Sequence, residues 1–157
     1  MEAHSNFNMQ DLADDISIIT LTAPFDFSDP NVQPIETFKA DDAEIAPGTT
    51  CISSGWGLTS GSSVFPPSAL QVVDLDIVGQ DECNGIFDGY IQDGMICAGK
   101  PGAAPCNGDS GGPLVCPDGN GNNKLAGIVS FGQQGCTTTG VYTKVSMYEQ
   151  WINDRLA

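Results

Sequence analysis

The chain has 157 residues, among them 19 Gly and 10 Pro, and its 20 acidic against 5 basic side chains leave a net charge of −15. That length suits one domain with a real core, and that sign argues against nucleic-acid phosphates and anionic membranes as partners. The glycine and proline content favours many short strands and turns over long helices.

Residues 1–15 are polar and end in Leu12-Ala13-Asp14-Asp15. Ile16 to Leu21, short and β-branched, reads as a buried strand. Across 22–48, Pro24, Pro30, Pro34 and Pro47 rule out a long helix and mark a connector. Cys51 to Gly57 reads as a strand closing in a glycine turn, and 58–69 as a Ser/Gly/Pro loop. From Val73 to Ile77 apolar and polar residues alternate, as in a half-buried strand. Asp81 is placed to cap a short helical turn around Cys83. Met95–Gly99, Pro113–Cys116, Leu125–Phe131 and Gly140–Val145 supply further short strands. Ser146-Met147-Tyr148-Glu149 has capping-box spacing, and Tyr148, Trp151, Ile152 and Arg155 recur at helical intervals. A terminal amphipathic helix should therefore pack Tyr148, Trp151 and Ile152 on the body. No internal repeat or low-complexity tract is present.

Six cysteines without metal-type spacing point to an oxidising compartment and three disulfides. The one histidine, His4, cannot complete a zinc site with them by the usual spacings, so no metal is expected. No run of about 18 apolar residues occurs that would cross a membrane as a helix. Met1-Glu2-Ala3-His4 opens without the apolar stretch of an export signal. Disulfides without a leader lead to the expectation that these residues follow a missing front portion.

The chemistry concentrates in Cys106-Asn107-Gly108-Asp109-Ser110-Gly111-Gly112-Pro113-Leu114-Val115-Cys116. Glycines around Ser110 remove side chains that would crowd a substrate, so the Gly108 and Ser110 N–H groups can face one point. A hydroxyl beside two converging donors is what an acyl-transfer nucleophile with an oxyanion hole requires.

By this stretch the chain closely resembles the trypsin/chymotrypsin family of serine proteases, of the arthropod digestive kind. Leu12-Ala13-Asp14-Asp15-Ile16 is similar to the family's Asn-Asp-Ile segment, with Asp14 in place of Asn and Asp15 on the triad aspartate. Ser53–Gly57, Met95–Gly99, Gly127–Gly132 and Gly140–Val145 follow in the family's order. The resemblance implies an all-β fold, a chymotrypsin-like double Greek-key β-barrel. Here the second barrel is expected complete at 49–145 and the first only partial, with a C-terminal helix over 146–157. Residues 1–48 would be a remnant of the first barrel plus the connector. The length is short for two barrels, since such β proteins often run to about 200–250 residues.

Six cysteines permit fifteen pairings. The resemblance implies Cys51–Cys116, Cys83–Cys97 and Cys106–Cys136. It also implies that Ser110 attacks a peptide carbonyl while Asp15 fixes the tautomer of a histidine that takes the serine proton. His4 precedes Asp15 by only 11 residues, against about 45 in the family's template, and is read as a surface residue rather than the base. Asp109 would pair with the amine of an activated Ile-Val-Gly-Gly terminus, and no such terminus occurs in the sequence. A buried carboxylate without its cation costs several kcal/mol. The expectation is a zymogen-like arrangement, with Asp109 turned away, Gly108 N–H misaligned and no hydrolysis by this chain alone. Residues 1–40 would be strands without partners, so amide exchange should be fast before residue 45 and slow after 50.

Specificity follows by the same resemblance. Ala104 falls at the pocket floor, and Gly132 and Gly140 fall on its walls. A neutral floor with open walls favours an apolar or aromatic residue before the cut, since a buried Arg would lack a counter-charge. Ser130-Phe131-Gly132 would pair with the substrate backbone as an added antiparallel strand. The implied partners are protein or peptide substrates and protein protease inhibitors, with no cofactor, nucleic acid or membrane. The full-length protein is expected to be monomeric, secreted and extracellular.

Gly108-x-Ser110-x-Gly112 also fits the nucleophile elbow of α/β-hydrolases. That fold needs a helix directly after the serine and a histidine downstream, whereas Pro113-Leu114-Val115 reads as strand and no histidine follows Ser110. Two other readings stay open: a non-catalytic protease homologue that acts as a binding module, and a truncated product with no function of its own.

Overall fold

The computed structural model describes residues 1–156. Six strands close into an antiparallel barrel: β3 (Thr50–Gly55), β4 (Gln71–Val78), β5 (Met95–Gly99), β6 (Pro113–Pro117), β7 (Asn123–Gly132) and β8 (Thr139–Lys144). Their order around the barrel is β3-β4-β5-β8-β7-β6, with β6 pairing back to β3. Closure leaves the barrel without a free sheet edge over most of its height. Outside it, β1 (Glu2–Ala3) and β2 (Ser17–Ile18) form a two-stranded ladder.

Alternation along the strands builds two cores. Leu75 and Ile77 of β4, Ile96 and Ala98 of β5, Leu114 and Cys116 of β6, and Tyr142 of β8 fill the barrel. Met95 and Cys97 of β5 and Val141 of β8 face the opposite way. They meet Cys83 of helix α1 (Gln80–Ile86) and Ile91 in a second cluster outside the barrel. Strand β5 is therefore buried on both faces. The disulfides are Cys51–Cys116, Cys83–Cys97 and Cys106–Cys136, and no cysteine is free among the described residues. The first joins β3 to β6 inside the barrel, and the second fastens α1 to β5.

Three local expectations change. Asp81 is not the cap of α1: the cap position is Gly79, with no side-chain bond, and Asp81 lies in the first turn. There its carboxylate still faces the positive end of the helix. Ser146 does not cap the last helix either. It sits inside a 3-10 turn (Val145–Tyr148) with no side-chain cap, and α2 (Glu149–Leu156) starts where that turn ends. Of the strand expected from Ile16 to Leu21, only Ser17–Ile18 pairs. Ile16 is buried, but Ile19 and Leu21 are exposed, because β2 has β1 as its sole neighbour among the described residues.

The connector is anchored rather than loose at its far end. Phe38 enters the barrel core. Its N–H donates to the Leu125 carbonyl at 3.0 Å, and Leu125 N–H donates to the Glu36 carbonyl at 2.7 Å. Three ion pairs add straps: Lys124–Asp42 at 2.9 Å, Lys144–Glu44 at 2.7 Å and Arg155–Glu2 at 2.7 Å. Each joins a carboxylate from residues 1–48 to a cation on the barrel or α2.

Candidate active site

Ser110 lies in the loop between β5 and β6. Gly108 at φ +100° and Gly111 at φ +81° take left-handed conformations that only glycine adopts cheaply, and so turn the chain sharply on both sides of the serine. Beyond the serine the loop is pinned to the barrel. Gly111 N–H donates to the Val129 carbonyl at 2.8 Å, and Val129 N–H to the Gly112 carbonyl at 2.9 Å. Ser110 is exposed. Among the described residues its hydroxyl has no hydrogen-bond partner, and neither the Gly108 nor the Ser110 N–H donates to another protein group.

The hydroxyl borders a cavity of about 270 Å³ lined by Pro105, Asn107, Ser130, Phe131 and Gly132, among others. Pairing between β6 and β7 stops at Pro113↔Ile128, while Phe131 and Gly132 still pair with β8. One backbone edge of Ser130–Gly132 therefore faces the cavity side without a strand partner. Phe131 is fixed by edge contacts with Phe87 and Tyr90, centroids 5.7 and 5.9 Å away.

Ala104 does not border the Ser110 cavity. It lines a neighbouring one of about 250 Å³ with Gly55, Gly57 and Asp109, and Pro105 stands between the two. A side chain at Gly140 would collide with the Pro105 ring. The space expected at Gly140 is thus already filled from within, and Gly132 is close as well, since a Cβ there would stand 3.3 Å from the Thr139 carbonyl oxygen.

Asp109 points away from Ser110 toward β3. Its Oδ1 accepts from Gly57 N–H at 2.8 Å and its Oδ2 from Cys106 N–H at 2.9 Å. Any side chain at Gly55 or Gly57 would strike this carboxylate, which explains glycine at both. Two amide dipoles satisfy the charge here, and no cation contacts it among the described residues.

Asp15 reaches the same region from outside the barrel. Its Oδ2 accepts from Ser130 Oγ at 2.6 Å and its carbonyl from Thr143 Oγ1 at 2.7 Å. Ser130, read from the sequence only as a substrate-pairing residue, thus turns its hydroxyl to Asp15. Sequence reasoning does not place Thr143 or Tyr148 at the site; Tyr148 reads only as a packing residue of the last helix, and it is buried. Thr143, a buried hydroxyl on β8 beside apolar Val141, needs a hydrogen-bond partner and so carries a usable signal. His4 is less exposed than a surface residue. Its Nδ1 stands 3.9 Å from Asp14, and its ring packs on Tyr148 and Trp151, with centroids 5.5 and 5.1 Å away.

A six-stranded closed barrel, disulfide-tied, with a glycine-set serine beside a half-open strand, defines the chymotrypsin-like class of β proteins. The trypsin family model matches residues 1–152. The chain is 38% identical to trypsin-3 of Salmo salar and 40% identical to anionic trypsin of Canis lupus familiaris, each over 98% of its length. Those matches cover 63% and 60% of the two relatives, so the chain spans under two thirds of their length. A solved structure titled neuropsin, a serine protease expressed in the limbic system of mouse brain, superposes with a TM-score of 0.86 at 35% identity. It is matched over 98% of this chain and 67% of that one. The chain belongs to the trypsin family of serine proteases.

Proposed function

We propose that this chain carries the nucleophile, oxyanion hole and substrate-binding strand of a secreted serine endopeptidase. The observation that supports this most is the unpaired Ser110 hydroxyl, with the Gly108 and Ser110 N–H groups unengaged, at a cavity that Ser130–Gly132 also lines. In the family's established scheme, Ser110 Oγ adds to the scissile carbonyl carbon as an imidazole removes its proton. The oxyanion rests on the Gly108 and Ser110 N–H groups. Collapse expels the amine with the proton returned by the imidazole, and water then repeats the steps to free the acid.

Asp15 is the group that would hold that imidazole in the correct tautomer. The only histidine, His4, is engaged with Asp14, Tyr148 and Trp151. The imidazole must therefore come from outside these residues, and the chain alone should be inert. Asp109, bound to Gly57 and Cys106 amides, is held as in a resting precursor; activation would give it an amine partner. Uncharged Pro105, Phe131 and Gly132 around the Ser110 cavity favour an apolar or aromatic residue before the cut. Three disulfides fit an oxidising, extracellular setting. Peptide substrates and protein protease inhibitors are the proposed partners, and the full-length protein is proposed to be a monomer.

The absence of an imidazole near Ser110 among the described residues also supports a second reading, a protease-like binding module. A fluorophosphonate that acylates activated serines separates the two. The 157-residue chain should remain unlabelled. A polypeptide that includes the family's histidine-bearing portion should label at Ser110 and lose labelling on Ser110→Ala. No labelling in either form leaves the binding module standing.

A further inference from the structure

The backbone that presents Asp15 is strained. Leu12 and Asp14 hold φ values of 52° and 55°, left-handed for residues that are not glycine. That region crowds the Leu12 side chain, whereas Asp adopts it more readily. Ile16 N–H donates to the Asp14 carbonyl at 2.8 Å, closing a three-residue turn with Asp15 at its centre. The left-handed residues that lead into this turn persist only where surrounding groups over-determine them.

Those groups come from the far end of the chain. Thr143 Oγ1 donates to the Asp15 carbonyl at 2.7 Å across 128 positions, and the Tyr148 hydroxyl donates to Asp14 Oδ1 at 3.0 Å across 134. Both side chains are buried, with Thr143 at 3% and Tyr148 at 7% exposure. Neither lines the Ser110 cavity. Burial first, and then the neighbouring Asp14 carboxylate, raise the Tyr148 phenol above its ordinary value, so it keeps the proton it donates. His4 Nδ1 stands 3.9 Å from the same Asp14 oxygen. The turn is thus clasped by one hydrogen bond to its backbone and one to its side chain, both from rigid elements.

Resting on the protease reading, we propose that Thr143 and Tyr148 are positioning residues that aim the Asp15 carboxylate, Thr143 through its carbonyl and Tyr148 through Asp14. Neither touches substrate. A turn released from the clasp would let the carboxylate swing away from the imidazole it must orient, which slows the chemical step and leaves binding unaffected.

The test has a structural and a kinetic arm. In the 157-residue chain, Thr143→Val and Tyr148→Phe should each speed Ile16 amide exchange by about tenfold, while the barrel amides of Ala98 and Val129 hold. Thr143→Ser, which keeps the hydroxyl, should restore the slow rate. In the polypeptide that carries the histidine, Thr143→Val and Tyr148→Phe should lower kcat by about ten- to a hundredfold with KM within about twofold. Thr143→Ser should again stay near the parent. Unchanged Ile16 exchange overturns the proposal, as does acceleration shared equally by Ala98 and Val129, or a raised KM with kcat intact. A parent polypeptide with no turnover defeats the protease reading and the catalytic role of the clasp together. Turnover with an unmoved Ile16 defeats the clasp alone.

Discussion

Asp109 and Gly57, 52 positions apart, meet in a hydrogen bond of 2.8 Å from the Gly57 N–H to the aspartate Oδ1. The second oxygen takes the Cys106 N–H at 2.9 Å, so the carboxylate ties β3's turn to the serine loop. Asn at 109 has one oxygen for two donors and turns its amide against the other N–H. Asp109→Asn should cost about 1–3 kcal/mol in urea unfolding. Gly57→Ala, whose methyl would strike the same carboxylate, should destabilise comparably. An unchanged midpoint in both variants would remove this link from the account.

Pro105 and Gly140 define how much of the pocket is available. Gly140→Ala would drive a methyl into the Pro105 ring, an overpacking that costs about 1–3 kcal/mol. Pro105→Ala removes the ring atoms in question. The double variant should recover part of the loss, giving a coupling of about 0.5–2 kcal/mol in a double-mutant cycle. Strict additivity would show that the two residues do not compete for that space.

Asp42 holds its proton less readily than an ordinary carboxyl, first through the Lys39 N–H and then through the Lys124 ammonium. The folded value is lowered, so the stabilisation is complete above the ordinary carboxylate range and is lost as pH falls through the folded value. Acidification should release the 36–44 strap before the barrel melts. Faster exchange at the Phe38 amide, which bonds to Leu125, would report it. Lys124→Met should shift that release to higher pH, and identical profiles would contradict the role given to the pair.

Of the three tyrosines, Tyr142 and Tyr148 have phenols raised above their ordinary value, in both cases chiefly by burial. The folded values exceed the unfolded ones, so this stability is present below about pH 10 and fades as pH rises beyond it. An alkaline absorbance titration should show incomplete phenolate formation before unfolding, with the remainder appearing as the barrel opens. Full ionisation of all three ahead of unfolding would refute the burial argument.

Much of the barrel was legible in the chain. Alternation in 73–77, the short apolar runs at 95–99 and 125–131, and the glycine-set serine mark their elements in the sequence itself. Alternation reads well because a strand's side chains obey a period of two whatever lies beside them. The helix starts at Asp81 and Ser146 read poorly, because a cap needs both the residue and a backbone that turns at that point.

The sequence by itself determined the family and the residue types at the site: Ser110 among glycines, Asp15 before Ile16, six cysteines and no histidine but His4. Tertiary structure alone decided which groups hold them. Thr143 and Tyr148 reach Asp15 and Asp14 across more than 120 positions, Asp109 turns to Gly57, and Pro105 fills the space beside Gly140. Local chemistry is written in neighbouring residues, but a hydrogen bond between distant ones exists only once the barrel has closed and brought its strands' buried polar atoms face to face with the segment outside.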